Sequence, residues 1–120
     1  MSDQRFGKPL RLRRQSDFDR VYRSQAYAVD QVLVVRGRNN DLAHCRLGIS
    51  VSRKVGNAVV RNRWKRLIRE AFRLARLQLP QGLDLVVRPR KGAVPKFESI
   101  QRSLPRLARQ IAHRLRRNEA

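Results

Sequence analysis

Residues 57–73 read NAVVRNRWKRLIREAFR, and how they lie on a helix decides how the rest of the chain must be arranged. With residues at about 100° intervals and Arg61 at zero, Lys65, Arg76, Arg69, Asn62, Arg73 and Arg66 occupy roughly the first 140°, with Glu70 and Arg63 just beyond. Leu74, Leu67, Val60, Ala71, Trp64, Ala75 and Ile68 fill roughly 220° to 340°. That apolar arc is too wide for a coiled-coil seam and is suited to packing on a sheet. Phe72 sits at the border and is assigned to the core.

The start of this helix is legible too. Gly56 breaks the preceding run, and Asn57 can cap with a side-chain oxygen that accepts an orphan backbone N–H. Arg61 and Arg63 then fall in or beside the first turns, where the helix dipole disfavours cations. Local stability would not place them there. With Arg53 and Lys54 just upstream, unpaired N–H groups and cationic side chains converge, an arrangement that binds phosphate. A merely solvated face would alternate its charges. Here Glu70 is the only acid in the window.

Composition points the same way. Lys and Arg number 29 against 9 acids, a formal net charge of +20 over 120 residues, and self-repulsion on that scale is best relieved by a polyanion. The length allows one domain with a modest core, and apolar residues grouped in periodic segments argue against a disordered basic tail. Cys45 is the only cysteine, so no disulfide forms within the chain and a reducing cytoplasm fits. The opening MSDQRFGKPLRLRRQ has no apolar signal region and no run approaches a membrane span, so a soluble cytoplasmic protein with no membrane partner is expected.

Outward from the central helix, residues 1–14 read as an irregular basic arm. Ser16 is the expected cap of a short helix over residues 17–24, on which Phe18, Val21 and Tyr22 share a face. Residues 27–36 read as one strand, whose apolar run from Val32 to Val35 implies a strand covered on both faces or a middle position in the sheet. GRNNDLA (residues 37–43) has turn chemistry, so a hairpin return to the next strand is expected. In residues 46–52, Leu47, Ile49 and Val51 face one way, while Arg46, Gly48, Ser50 and Ser52 face the other. That second face carries little bulk, leaving room for a nucleic-acid backbone, and its hydroxyls can donate to phosphates. Leu83 to Arg88 is a further strand stopped by Pro89, and a basic loop follows. Phe97, Ile100, Leu104, Leu107, Ala108, Ile111, Ala112 and Leu115 recur at helical spacing, with a kink or restart expected at Pro105 and fraying over residues 116–120. The whole is a single α+β domain.

Catalytic chemistry is scarce. His44 and His113 are the only histidines and are far apart in sequence; they could serve as acid and base only if the fold joined them. His44 and Cys45 lack further ligands at a metal spacing, and no glycine-rich phosphate loop is present. Glu70 reads as a helix partner of Arg66 and Arg73. No catalytic residue and no metal ligand is assigned to this chain, so any reactive centre must come from another molecule.

The run RLGISVSRKVGNAVVRNRWKRLIREAF (residues 46–72) resembles the protein component of bacterial ribonuclease P, whose signature is an Arg-Asn-Arg helix, here Arg61-Asn62-Arg63, followed by Lys65-Arg66 and Arg69-Glu70. The flanking order agrees over residues 8–115, from Leu12 and Phe18 to Leu85-Val86-Val87 and the final amphipathic helix. The resemblance implies an α/β sandwich of order α-β-β(-β)-α-β-α, whose mixed sheet contains a left-handed βαβ crossover, against the usual hand. It implies an accessory subunit, one per catalytic RNA, in an endonuclease whose RNA removes the 5′ leader of precursor tRNA with magnesium ions that the RNA requires. Carried over by position, Arg53, Asn57, Arg61, Asn62, Arg63, Lys65, Arg66 and Arg69 would face the catalytic RNA. Phe18, Tyr22, Ser50, Ser52 and Lys54 would line a cleft for the single-stranded leader. Many relatives carry an aromatic residue late in the first long strand. Val34, Val35 and Arg36 stand there in this chain, so Arg36 is expected to offer its guanidinium plane instead. A ribosomal or other structural RNA-binding protein would share the charge and the α+β pattern without a role in tRNA processing. A stand-alone ribonuclease would cleave without an RNA subunit.

Overall fold

The computed structural model describes residues 10–119, with residues 118 and 119 in backbone only, and contains four strands and three helices where the patterning had indicated three strands and three helices. Helix α1 spans Gln15–Arg23, β1 Tyr27–Val29, β2 Leu33–Asn39, β3 Arg46–Ile49, α2 Ala58–Ala75, β4 Leu83–Pro89 and α3 Phe97–Glu119, the order α-β-β-β-α-β-α. The sheet order is β1-β2-β4-β3; β1–β2 and β2–β4 are antiparallel, β3–β4 parallel. β3, α2 and β4 therefore form a βαβ crossover within a mixed sheet.

One sheet face carries Leu33, Val35, Leu47, Leu85 and Val87, buried under Trp64, Ile68 and Phe72 of α2 and Ile100, Leu104, Leu107 and Ile111 of α3. α3 comes close because β2 offers no side chain at Gly37, where a Cβ would lie 2.7 Å from Ile111 and 2.9 Å from Leu85. The opposite face holds a smaller cluster of Leu12, Val21 and Val86 with Phe18 against it, covered among the described residues by α1 and residues 10–14. Among the described residues, that uneven cover leaves part of the second face open.

Several local expectations need correction. α1 starts at Gln15, not after Ser16: the Asp17 carboxylate accepts from the Arg14 N–H at 3.4 Å, closing the first turn two residues earlier. The expected strand over residues 27–36 is a hairpin, because the Asp30 carboxylate accepts from the backbone N–H groups of Val32 (2.8 Å) and Leu33 (2.9 Å) and turns the chain within the run. Ser103 and Arg106 of α3 hold the same carboxylate from below. Residues 37–43 do not return β2 onto β3, since β4 is inserted between them. The middle position expected for residues 32–35 holds, as β2 lies between β1 and β4.

α2 is turned on the sheet by roughly 40° relative to the expected arc. Trp64, Ile68, Ala71, Phe72 and Ala75 are buried, whereas Leu74 is 40% exposed. Burying the Phe72 ring in place of Leu74 removes more apolar area from water. α3 runs unbroken through Pro105, with no restart. The carbonyl of Gln101 that Pro105 cannot serve lies on an exposed residue, where water can satisfy it.

Of the basic arm expected over residues 1–14, residues 1–9 lie outside the described part. Its end runs beside β3: Arg11 bridges Leu47 in parallel, the Leu12 N–H donates to the Leu47 carbonyl at 2.9 Å, and the Leu12 side chain is buried. α3 is helical through Glu119, across most of the expected frayed end.

Candidate RNA interface

The cations of α2 divide into two groups. The turn of the helix brings Arg61, Lys65 and Arg76 to its half-buried flank, and Asn62, Arg63, Arg66 and Arg69 stand in solvent. The exposed group borders a groove of about 560 Å³ lined by Asn62, Arg66, Arg69, Glu70 and Arg73. Glu70 takes Arg73 rather than Arg66 as its partner, with Nε to Oε2 at 3.0 Å and Nη2 to Oε1 at 2.5 Å. The Arg73 hydrogen bonds hold the Glu70 carboxyl below its ordinary range. The acid is thus neutralised by one neighbour, and Arg63, Arg66 and Arg69 present uncompensated charge.

Asn57 caps α2 as expected, its Oδ1 accepting from the Val60 N–H at 3.0 Å. With its oxygen turned to the helix, the amide N–H₂ is the donor it can offer to an anionic ligand. Arg53 and Lys54 lie exposed in a single 3-10 turn just ahead.

The second sheet face is organised by register. Tyr27 is opposite Arg36, Arg36 opposite Val86, and Val86 opposite Gly48, so these four form one row across the sheet. α1 lies along that row. Phe18 stands over Gly48, where a Cβ would come 2.8 Å from the ring, and Tyr22 stands beside Arg36. The bare surface expected at Gly48 is thus filled by Phe18. Val21 is fully buried, Phe18 half-buried and Tyr22 41% exposed, so the shared face of α1 grades from core to solvent.

The Arg36 guanidinium lies over two rings, 5.9 Å from the centre of Tyr22 and 5.6 Å from that of Tyr27. Arg36 thus sits among aromatic rings, where its position in the sequence had placed a guanidinium plane. Tyr27 is the ring that sequence reading missed. Its place opposite Arg36 needs the hairpin, which the continuous apolar run conceals.

Ser50, Ser52 and Lys54 come together in a cavity of about 560 Å³ that is also lined by Arg88, Arg90 and Lys91 but not by Phe18, Tyr22 or Arg36. The Ser50 N–H donates to the Val87 carbonyl at 3.0 Å, carrying the parallel ladder up to the rim of this cavity. The basic loop after β4 was legible in the sequence. Its convergence on Ser50 was not, because it depends on β3 and β4 being parallel neighbours.

At the other end of the sheet Asp84 is fully buried. Arg46 donates to it through Nε at 2.7 Å and Nη2 at 2.8 Å, Asn40 donates at 2.9 Å, and Arg38 lies at 3.3 Å. Burial pushes this carboxyl up, but the hydrogen bonds from Arg46 and Asn40 and the charges of Arg46 and Arg38 outweigh it and hold it below its ordinary value. Arg46 also reaches Asp17 of α1 at 4.0 Å. The cluster fixes β2, β4, β3 and α1 in one register, and so positions both candidate surfaces.

The residues considered for catalysis are not assembled into a site. His113 faces outward on α3, and His44 lies in the loop before β3, where its carbonyl accepts from Asn40. The Cys45 thiol is pushed up to about 12 by burial and the nearby Asp84 charge, so it is not a thiolate at neutral pH. Among the described residues no group of three or more His, Cys, Asp or Glu could hold a metal ion, and no helix is long and apolar enough to cross a membrane.

A small α+β sandwich with one cationic helix face and one open sheet face of rings, hydroxyls and cations defines a protein built to hold polyanionic chains. The ribonuclease P family matches the chain over residues 6–112. Among curated relatives, the ribonuclease P protein component of Thermotoga petrophila is 39% identical over 95 residues, 79% of this chain and 81% of the relative. That of Staphylococcus epidermidis is 45% identical over 87 residues, 72% and 75% of the two chains. Among solved structures, the ribonuclease P protein of Staphylococcus aureus superposes with a TM-score of 0.73 at 38% identity, covering 88% of this chain and 96% of that one. The Thermotoga maritima protein gives 0.74 at 37% identity, covering 82% and 96%. The chain belongs to the family of ribonuclease P protein components.

Proposed function

We propose that this chain positions two RNAs side by side: the catalytic RNA of ribonuclease P on α2, and the single-stranded 5′ leader of precursor tRNA on the open sheet face. The observation that carries this reading is a groove lined by Arg11, Leu12, Phe18, Leu47, Ile49, Lys65 and Arg69. It joins the flank of α2 to the ring side of α1 across the β3 edge. A leader on the sheet face would therefore lie next to the RNA docked on α2.

In this reading Asn62, Arg63, Arg66 and Arg69, with Arg53 and the amide of Asn57, meet phosphates of the catalytic RNA, while Arg61 and Lys65 hold the boundary with the groove. The leader lies over Ser50, Ser52, Lys54 and Arg88 and passes Phe18, Tyr22, Arg36 and Tyr27. Hydroxyls and cations grip its backbone, and rings stack on unpaired bases without demanding a fixed sequence. The RNA subunit supplies the reaction through the magnesium ions it requires. The chain contributes placement and lowers phosphate repulsion between the two RNAs, which improves substrate affinity and the apparent affinity for magnesium. One protein per catalytic RNA suffices for this.

The sheet-face assignment is tested by substrate discrimination. Replacing Phe18 and Tyr22 by Ala should each cost about 1–3 kcal/mol of precursor binding by the holoenzyme. Affinity for mature tRNA, which has no leader, should not change. Equal weakening toward precursor and mature tRNA would refute a leader role for these rings.

A further inference from the structure

α3 carries a basic face that neither assignment uses. Between Gln101 and Asn118 the sequence has no acid, yet it holds Arg102, Arg106, Arg109, Arg114, Arg116 and Arg117, every one of them exposed. The apolar side of α3 is buried on β2 and β1, so these cations point away from the core in a stripe of roughly 22 Å from Arg102 to Arg117. A solvated face would interleave charges of both signs. Among the described residues, the acid from elsewhere that pairs with the stripe is Asp30, which takes Arg106 at 2.6 Å.

The stripe is joined to the leader face at one point. Arg114 lies 5.8 Å from the centre of the Tyr27 ring, the same ring that Arg36 covers from the sheet side at 5.6 Å. Tyr27 is on β1, the edge strand farthest from β3. Past it opens a groove of about 490 Å³ lined by Arg106, Arg109, Gln110, His113, Arg114 and Arg117. A strand that enters beside α2 at the β3 edge and crosses the sheet face meets Tyr27 last, and Arg114 is the next cation in its path. With the catalytic RNA on α2, as proposed above, and the leader entering across the β3 edge, what reaches β1 is the part of the leader far from the cleavage point.

We propose that the outer face of α3 binds the upstream portion of long leaders, continuing the track around the β1 edge. This rests on the leader assignment above and extends it. The stripe itself bears no aromatic ring, so it grips phosphates alone and tolerates any sequence. A contact of this kind makes affinity rise with leader length beyond what the sheet face can hold.

The test compares precursor tRNAs with leaders of about four and about twelve nucleotides, within the usual span of single-strand sites. Binding to holoenzyme is measured with the wild-type chain and with an Arg109→Ala/Arg114→Ala/Arg117→Ala variant. The long leader should bind wild-type holoenzyme more tightly than the short one by about ten-fold at moderate salt, with a steeper salt dependence. The variant should lose that increment and bind the short leader as wild type does. An Arg109→Lys/Arg117→Lys variant, which keeps the charge, should retain the increment. An unchanged increment in the alanine variant overturns the proposal. So does weaker assembly with the catalytic RNA in the absence of substrate, which would make α3 a docking surface for that RNA. If the short leader itself gives no advantage over mature tRNA, the sheet-face assignment fails instead, and the two failures are told apart.

Discussion

Asp84→Ala is expected to destabilise the fold by about 3–5 kcal/mol, the scale for breaking a buried ion pair by removing one partner. The carboxylate is fully buried and takes both Arg46 donors, at 2.7 and 2.8 Å, together with Asn40 and the charge of Arg38. Without it the Arg46 guanidinium, 21% exposed, has only Asp17 at 4.0 Å, and Arg38 has no counter-charge on the sheet. Urea unfolding of the free protein measures the loss. A cost below about 1 kcal/mol would mean that the cluster does not fix the sheet. Acid gives an independent reading. The native carboxyl lies below its ordinary value, so its contribution is complete above the usual aspartate range near ~4 and disappears as pH falls through the lowered native value. Wild-type stability should therefore drop on acidification below that range, and an Asp84→Asn chain should show a shallower drop.

The second large effect concerns docking. Replacing Arg63, Arg66 and Arg69 with Ala should weaken assembly with the catalytic RNA by about two to three orders of magnitude at moderate salt, and should reduce the slope of log affinity against log salt by about 2–3. These side chains are exposed and none is a core contact, so the melting temperature should stay near wild type. Arg61 is a poorer choice for this test. It is half-buried at the flank, with its Nε enclosed and without a protein partner, so its loss mixes packing with charge. An unaltered salt slope in the triple variant would contradict the α2 assignment.

What the sequence made legible was what is local. The cap at Asn57, the two faces of α2, the apolar side of α3 and the alternation through Leu47 and Ile49 all follow from spacing within one element. What escaped depends on partners distant in the chain. The Asp30 turn is hidden inside an apolar run, because one side-chain oxygen bonding to two N–H groups leaves no compositional trace. The insertion of β4 between β2 and β3 is a nonlocal pairing that turn chemistry at residues 37–43 cannot reveal. The same insertion creates the Asp84 cluster and brings Arg88, Arg90 and Lys91 to Ser50 and Ser52. The exposure of Leu74 was missed because periodicity ranks it with Phe72, whose burial was expected, and only the shape of the sheet face selects the ring over it. The resemblance implied two RNA surfaces, and the register places Tyr27 opposite Arg36 on the sheet face proposed for one of them.

In the proposed function this chain places RNA and leaves the reaction to its partner. The direct measurement is cleavage of precursor tRNA at low magnesium with the RNA subunit alone, the protein alone, and both together. Little or no cleavage is expected from either component alone, and accurate removal of the 5′ leader when they are combined. Cleavage by the protein alone, abolished by replacing His44 or His113, would contradict it, as would an RNA subunit whose activity the protein does not change.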